Sequence, residues 1–224
     1  MKNKIRKLIY FFIPVLRKYH TFLKSQTNHI STNQYVKFIY GWEGGGKSVY
    51  WPVHKNSEVT HPNNIYVGIN SNAGTRPGCY LQGNGGIRIG NYVHFASNIG
   101  IISGNHGLYN HMKHETKEVC IDDYCWIGMN VVILPGVHLG PRTIVGAGSV
   151  VTKSFPNGYC VIGGNPAKLI KELDKEKFVP TKYEEEYYGF VPKEKFGAFA
   201  RKYLRDNKYY DVILKNINGI EKQS

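Results

Sequence analysis

Three histidines lie within one polar segment, residues 104–118, and are the clearest candidates for chemistry in this chain. They are His106, His111 and His114, and the carboxylate of Glu115, which could orient an imidazole, follows directly. An imidazole changes protonation state near physiological pH, so it serves as a general base, and it is also a common metal ligand. The segment therefore predicts proton transfer or, from the five-residue spacing of His106 and His111, a zinc site.

The residues on either side of this segment repeat every six positions. Apolar, mostly β-branched residues recur at Ile121, Ile127, Ile133, Leu139, Val145 and Val151. A second apolar series lies two residues earlier, at Val119, Cys125, Val131 and Val137. Because neither a helix nor a single strand has a period of six, the pattern predicts a solenoid. We expect about five coils between residues 60 and 165, with residues 104–118 projecting as a loop.

A glycine-rich sequence precedes the repeats. Residues 41–48, Gly-Trp-Glu-Gly-Gly-Gly-Lys-Ser, formally match the pattern of a phosphate-binding loop. Such a loop must follow a buried strand and open a helix, whereas the residues after Lys47 are aromatic and β-like, with Pro52 close behind. We therefore interpret this sequence as an entry turn into the first coil.

The charge balance favours an anionic partner. The chain has 29 Lys and Arg against 16 Asp and Glu, a net charge of +13, which attracts nucleic acid, anionic lipid or a phosphorylated cofactor. We expect no nucleic-acid partner, because the sequence has neither zinc-finger spacing nor an RNP-type motif. The cysteines lack CxxC spacing and predict free thiols in a reducing compartment, here the cytoplasm. They are Cys79, Cys120, Cys125 and Cys160.

Composition divides the chain into residues 1–40, 41–165 and 166–224. The first region is basic and amphipathic, and its residues 5–23 predict a helix that packs on the solenoid or a neighbouring subunit. The alternative is a peripheral contact of residues 5–23 with the inner face of a membrane. The third region predicts helices over residues 168–178, 184–188 and 193–207.

The repeat strings resemble those of the hexapeptide-repeat acyltransferases, in particular the branch of sugar and capsule O-acetyltransferases. The similarity covers residues 60–172 and includes Ile-Asp-Asp-Tyr-Cys-Trp-Ile-Gly from Ile121, Val-Gly-Ala-Gly-Ser-Val-Val-Thr-Lys up to Lys153, and Gly-Asn-Pro-Ala-Lys up to Lys168. The resemblance implies an all-β, left-handed parallel β-helix with short N-terminal and C-terminal helical appendages. It also implies a homotrimer with acetyl-CoA between neighbouring solenoids.

The resemblance also implies roles for particular residues. His106 falls on the position of the general base that takes the hydroxyl proton during acetyl transfer to a sugar or polysaccharide. The positions expected to contact acetyl-CoA are Trp126, Gly128, Met129, Ala147, Thr152, Lys153, Lys168 and Lys171. From their places near His106 in the repeat and the polar segment, the positions expected to contact the acceptor are Gln82, Asn84, Asn105, His111, His114 and Glu115. His94 and His138 should lie on the surface, and Trp126 should point outward.

Other functions remain open from the sequence. Within acetyltransferases, the alternatives are a xenobiotic-modifying enzyme and an amino-sugar N-acetyltransferase. A γ-type carbonic anhydrase shares the fold and would use the histidines for zinc, although the strings ending at Lys153 and Lys168 would then have no purpose. A non-catalytic solenoid is the last alternative. We predict no metal.

Overall fold

A computed structural model describes residues 49–181, 183 and 185–221. The predicted N-terminal segment 1–40, with its alternative membrane contact over residues 5–23, and nearly all of the glycine-rich turn lie outside the described residues. In the part that is described, no helix is long and apolar enough to cross a membrane.

The described chain is mostly short β-strands followed by two helices. In chain order they are β1 (Glu58–Thr60), β2 (Ile65–Val67), β3 (Tyr80–Gln82), β4 (Ile87–Ile89), β5 (His94–Phe95), β6 (Gly100–Ile102), β7 (Gly104–His106), β8 (His114–Thr116), β9 (Val119–Ile121), β10 (Trp126–Ile127), β11 (Val132–Ile133), β12 (His138–Leu139), β13 (Thr143–Val145), β14 (Val150–Val151), β15 (Cys160–Gly163), β16 (Lys168–Glu172), β17 (Tyr187–Tyr188), β18 (Val191–Pro192), α1 (Lys193–Tyr203) and α2 (Tyr210–Glu221).

The chain visits three parallel sheets in rotation. Sheet A contains β1, β3, β6, β11 and β14, sheet B contains β2, β4, β9 and β12, and sheet C contains β5, β10, β13 and β15. Residues 18 positions apart pair in each sheet, as Ile133 with Val151, Cys120 with His138, and Trp126 with Ile144. One circuit therefore turns three corners, here named the A-to-B, B-to-C and C-to-A corners after the sheets they join.

The two apolar series fill the space between the sheets. Each of the following side chains is at most 1% exposed: Val119, Ile121, Cys125, Ile127, Val131, Ile133, Val137, Leu139, Val145 and Val151. This burial confirms that the six-residue series faces inward. Because every strand alternates sides, the residues between them point outward and are free to form a site.

A hairpin interrupts the circuit at the A-to-B corner. Strands β7 and β8 pair antiparallel with His106 opposite His114, and almost all of the side chains from Asn105 to Glu118 are exposed. At its base, the Gly104 N–H donates to Gln82 Oε1 at 2.9 Å. The insertion explains why Ile101 pairs with Ile133, 32 positions later, where other circuits advance by 18.

Two of the three helices predicted in the tail are wrong. Residues 168–178 instead contain β16, which pairs antiparallel with β15, and a short 3₁₀ helix at Lys175–Lys177. Residues 187–188 form β17, which pairs with β18. The exposed edge of β15 offers unpaired backbone groups, and pairing with them outweighs the helix propensity of the Lys, Leu and Glu side chains. The predicted helix at 193–207 is confirmed as α1, which ends at Tyr203.

Part of the tail runs back along the B-to-C corner, and we call Phe178, Tyr183 and residues 185–188 the strap. Phe178 packs edge-on against Tyr124, with ring centroids 5.0 Å apart, and Tyr183 lies parallel to Tyr92 at 5.8 Å. Tyr92 and Tyr124 both have φ near +58°, which turns their side chains outward at the corner. The strap thus spans successive circuits of the repeat.

The helices cover the first circuit. Phe196 of α1 stacks on Tyr188 with centroids 3.9 Å apart and packs against Tyr50 at 5.1 Å. Asn207, between the helices, donates its Nδ2–H to the carbonyl of Ile65 at 3.2 Å. The tail therefore closes the end of the repeat that would otherwise expose its apolar interior.

Candidate active site

His106 is held in one orientation by its own hairpin. Its Nδ1 lies 2.7 Å from the carbonyl oxygen of His111. A carbonyl can only accept a hydrogen bond, so Nδ1 must carry the proton, and Nε2 holds the lone pair when the ring is neutral. The side chain is exposed, so Nε2 is accessible to a proton donor from solution or from a substrate.

The other predicted residues of the hairpin surround His106. The His114 ring lies with its centroid 4.7 Å from that of His106, and the His111 ring is at 6.4 Å. Asn105 pairs with Glu115 across the two strands, and both side chains are exposed. The structure therefore brings together the predicted base and four of the predicted acceptor residues.

Gln82 and Asn84 lie beneath the hairpin. The Gln82 carboxamide accepts the Gly104 N–H, so it fixes the start of β7. Asn84 packs beside Gly104, where an added Cβ would lie 3.1 Å from Asn84 Cβ, and its buried Oδ1 has no hydrogen-bond partner among the described residues. Both residues support the hairpin, and Asn84 retains an unused acceptor.

Trp126 and Met129 lie away from the hairpin, in a cleft of about 380 Å³ along the C-to-A corner. Both side chains are about half exposed, which agrees with the prediction that Trp126 points outward. The cleft is also lined by Asn72, Arg76, His94, Phe95, Ala96 and Ser97. His94 was expected on the surface but is half-buried here, and this burial lowers the pKa of its imidazole below the ordinary value.

The same corner continues past Gly128 and Ala147. A Cβ at position 128 would lie 2.6 Å from the backbone nitrogen of Ala147, so only glycine allows these two circuits to approach so closely. Ala147 is exposed, and the space beside Gly148 is open, because a Cβ added there would meet no atom within 4 Å beyond its chain neighbours. The small residues Gly128, Ala147 and Gly148 thus leave a shallow groove at this corner, here called the track, which leads away from the cleft.

The four remaining predicted cofactor positions divide between a corner and an edge strand. Thr152 and Lys153 follow β14 at the A-to-B corner, beside the hairpin, whereas Lys168 and Lys171 lie on β16 at the edge of sheet C. All four side chains are exposed, and the three lysines form no ion pair within the described ranges. Within one chain, the predicted site is therefore in two parts.

The sequence did not indicate that Arg76, Asn72 and His94 line one cleft with Trp126. His94 pairs directly with Trp126, 32 positions later, because the hairpin insertion lies between them. Counting in steps of 18 from Trp126 therefore does not reach His94. The strand pairing in sheet C, rather than the six-residue spacing, shows that these residues lie close together.

A polar network covers the outer face of sheet B. His138 was expected on the surface, but it is half-buried and its Nε2 lies 2.8 Å from Asp122 Oδ2. The thiol of Cys120 donates to Glu118, and burial with this carboxylate raises the pKa of Cys120 to about 11. Cys120 is therefore a neutral thiol at physiological pH and a poor nucleophile.

No group of three histidine, cysteine, aspartate or glutamate side chains within residues 49–221, gaps excepted, is arranged to hold a metal ion.

The chain is similar to a known family of transferases and to proteins that are named acetyltransferases. The family model described as bacterial transferase hexapeptide (six repeats) matches residues 121–153. The galactoside O-acetyltransferase of Lactococcus lactis is 27% identical over 160 residues, which are 70% of this chain and 68% of that protein.

Two solved structures are also similar. A maltose O-acetyltransferase from Clostridium difficile is 32% identical and has a TM-score of 0.48, over 55% of this chain and 66% of its own. A hexapeptide-repeat acetyltransferase of Vibrio cholerae, complexed with acetyl coenzyme A, is 30% identical with a TM-score of 0.47, over 55% of this chain and 71% of its own. Because both TM-scores are below 0.5, sequence identity is the relevant similarity.

The matches to curated relatives are partial. The chain spans 45% of a Schizosaccharomyces pombe relative and 54% of a Staphylococcus aureus relative, about half the length of each. The identities are 37% over 94 residues and 36% over 117 residues.

Proposed function

We propose which reaction this chain catalyses, given that it belongs to the hexapeptide-repeat transferase family. The chain moves an acetyl group from acetyl-CoA to a hydroxyl of a sugar or cell-surface polysaccharide, and His106 is the general base. The observation that carries this proposal is the hydrogen bond from His106 Nδ1 to the His111 carbonyl, because it leaves Nε2 free to accept a proton. The names of the relatives support acetyl transfer.

The proton follows a short path in this mechanism. His106 Nε2 accepts the proton of the acceptor hydroxyl as its oxygen forms a bond to the acetyl carbon. The His111 carbonyl, which accepts from Nδ1–H, stabilises the resulting imidazolium. His106 then gives the same proton to the departing sulfur as the carbon–sulfur bond breaks, so the histidine returns to its starting tautomer.

The described residues fit acetyl-CoA. Acetyl-CoA supplies a thioester that is already activated, so no covalent enzyme intermediate is needed. The exposed track at Ala147 and Gly148 would hold a slender chain such as pantetheine against the backbone. Lys168 and Lys171, exposed and without described ion pairs, would bind the phosphates.

The division of the site supports assembly. His106, Thr152 and Lys153 lie at the A-to-B corner, and Trp126 and Ala147 lie at the C-to-A corner. In one chain the two corners are separated by sheet A, roughly 15 Å for five extended residues. A homotrimer in which the A-to-B corner of one copy faces the C-to-A corner of the next would complete each site.

The family also guides the architecture that we propose. From the family, we infer a left-handed parallel β-helix as the domain of residues 41–165 and a C-terminal tail as the region of residues 166–224. We place the protein in the cytoplasm, where acetyl-CoA and nucleotide-linked or lipid-linked sugars are accessible.

The proposed function is tested by acceptor-dependent release of CoA from acetyl-CoA across sugars, glycans and serine. With an active acceptor, His106→Ala should lower kcat by roughly 10²–10⁴-fold, the usual contribution of a positioned base. The pH profile of the wild type should have an ascending limb that this variant lacks, since only a neutral imidazole accepts a proton. Binding of acetyl-CoA should be unchanged.

His111→Ala is the matched control, because it removes an imidazole but retains the backbone carbonyl that orients His106. Its loss of activity should fall well short of that of His106→Ala. Equal losses in both variants, together with loss of a bound metal, would instead support the zinc enzyme. Turnover by His106→Ala at the wild-type rate would rule out His106 as the base.

A further inference from the structure

The cleft at the C-to-A corner contains one arginine that has no evident structural role. Arg76 lines the cleft with Trp126, Met129 and His94. Its backbone carbonyl accepts a hydrogen bond from Ser57 at 2.8 Å, which fixes the main chain. Its guanidinium, however, makes no hydrogen bond or ion pair with any residue in the described ranges.

The surroundings of this guanidinium favour an anion. None of the described residues that line the cleft is acidic. A guanidinium presents parallel N–H donors that match a carboxylate or phosphate in two hydrogen bonds. An anion that binds there would meet no repulsion from a neighbouring carboxylate.

The other lining residues favour a sugar ring beside that anion. Trp126 presents a half-exposed indole surface on which a sugar ring can stack. Burial lowers the pKa of His94, so at neutral pH this imidazole is uncharged and is suited to hydrogen-bonding a hydroxyl. An aromatic face with convergent polar groups is a typical small-molecule site.

Two anions could meet Arg76: an acidic group on the acceptor, or a phosphate of acetyl-CoA. The free lysines Lys168 and Lys171 lie beyond the last circuit, on β16, whereas Arg76 lies between the first circuits. Between the lysines and Arg76 lie three other residues of the predicted site: Trp126, Met129 and Ala147. A cofactor with its phosphates on the lysines would reach the cleft with its acetyl end, which leaves Arg76 for the acceptor.

We propose that Arg76 recognises a carboxylate or phosphate on the acceptor, so that the acceptor is an acidic rather than a neutral sugar. This inference rests on the proposed function and adds the substrate class to it. Because His106 lies at the other corner, the hydroxyl that is acetylated would be presented to the hairpin of a neighbouring copy.

The test compares D-glucuronate with D-glucose as probes for the wild type, Arg76→Gln and Arg205→Gln. Arg205 is the matched control, because it carries the same charge but donates to the Arg201 carbonyl beyond α1. Binding is followed by saturation-transfer NMR, which needs no turnover, and kcat/KM is measured by CoA release. Acetyl-CoA affinity is measured for all three proteins.

We expect the wild type and Arg205→Gln to prefer glucuronate in binding and in kcat/KM by roughly 10–100-fold, the usual range for a hydrogen-bonded charge. Arg76→Gln should lose this preference without a change in acetyl-CoA affinity. Equal binding of the two sugars by the wild type, or the same preference in Arg76→Gln, would overturn the inference. A lower acetyl-CoA affinity in Arg76→Gln would overturn it too and assign the guanidinium to the cofactor.

The two proposals fail in different ways. If glucuronate binds in an Arg76-dependent manner but no acceptor is acetylated, the anion site stands and acetyl transfer does not. If neutral acceptors are acetylated with no dependence on Arg76, acetyl transfer stands and the acidic acceptor does not.

Discussion

Among individual residues, His106 depends on backbone rather than on another side chain for its orientation. The His111 carbonyl sets its tautomer, so the imidazoles of His111 and His114 are not needed for this orientation. The sequence could predict His106 because the six-residue series stops immediately before the hairpin. It could not predict the role of His111, because a backbone carbonyl has no residue-type signature.

The exposed lysines lead to a prediction about the affinity for CoA. Replacing Lys153 and Lys168 with alanine should raise the Kd of CoA and weaken its dependence on salt, because phosphate contacts are electrostatic. The loss should be smaller for dephospho-CoA, which lacks one phosphate. Isothermal titration calorimetry with both ligands measures this difference.

The control removes the same charge elsewhere. Lys195 and Lys202 are exposed on α1, far along the chain from both corners, and their alanine double variant should bind CoA like the wild type. If the Lys153 and Lys168 variant binds CoA and dephospho-CoA as the wild type does, phosphate recognition lies elsewhere.

Among the elements, the repeat and the tail differ in how far the sequence determines them. Apolar residues such as Ile133 recur at fixed spacing and have one way to be buried, so their positions inside the sheets were predictable. Strand β16 was not, because its pairing depends on the free edge of β15, which exists only once the repeat has formed. The cleft around Arg76 was not predictable for a related reason. The hairpin insertion places His94 and its pairing partner Trp126 32 positions apart instead of 18.

The strap leads to a prediction about stability. Phe178 contacts the rings of Tyr124 and Tyr159, and the guanidinium of Arg142 lies 4.9 Å from its centroid. Phe178→Ala should lower the free energy of unfolding by about 1–3 kcal/mol, the sum expected for two aromatic pairs. Urea unfolding monitored by circular dichroism measures this change.

Val179→Ala provides the comparison, because this neighbouring side chain is 81% exposed and should contribute little. The specific activity of the folded Phe178→Ala protein should match that of the wild type, since the strap lies at the B-to-C corner. Equal stability of the two variants would show that the strap does not hold the circuits together.

For the whole molecule, the distribution of the site over two corners has the largest consequence. The hairpin carries the proposed base, the C-to-A corner carries the cleft and the proposed cofactor track, and sheet A separates them. A single copy of the chain would then hold two half-sites. The proposed trimer converts these into three complete sites, each with residues from two copies.

Mixing two inactive variants tests this account most directly. His106→Ala removes the base, and Ala147→Trp blocks the exposed track at the other corner, so homotrimers of each should be inactive. Co-expression with two different tags and sequential purification on both yields only mixed trimers. Any mixed cyclic trimer contains one interface with both halves intact, so it should have about one third of the wild-type activity. Mixed trimers as inactive as the two parents, or a stable monomer that turns over acetyl-CoA, would contradict a site shared between copies.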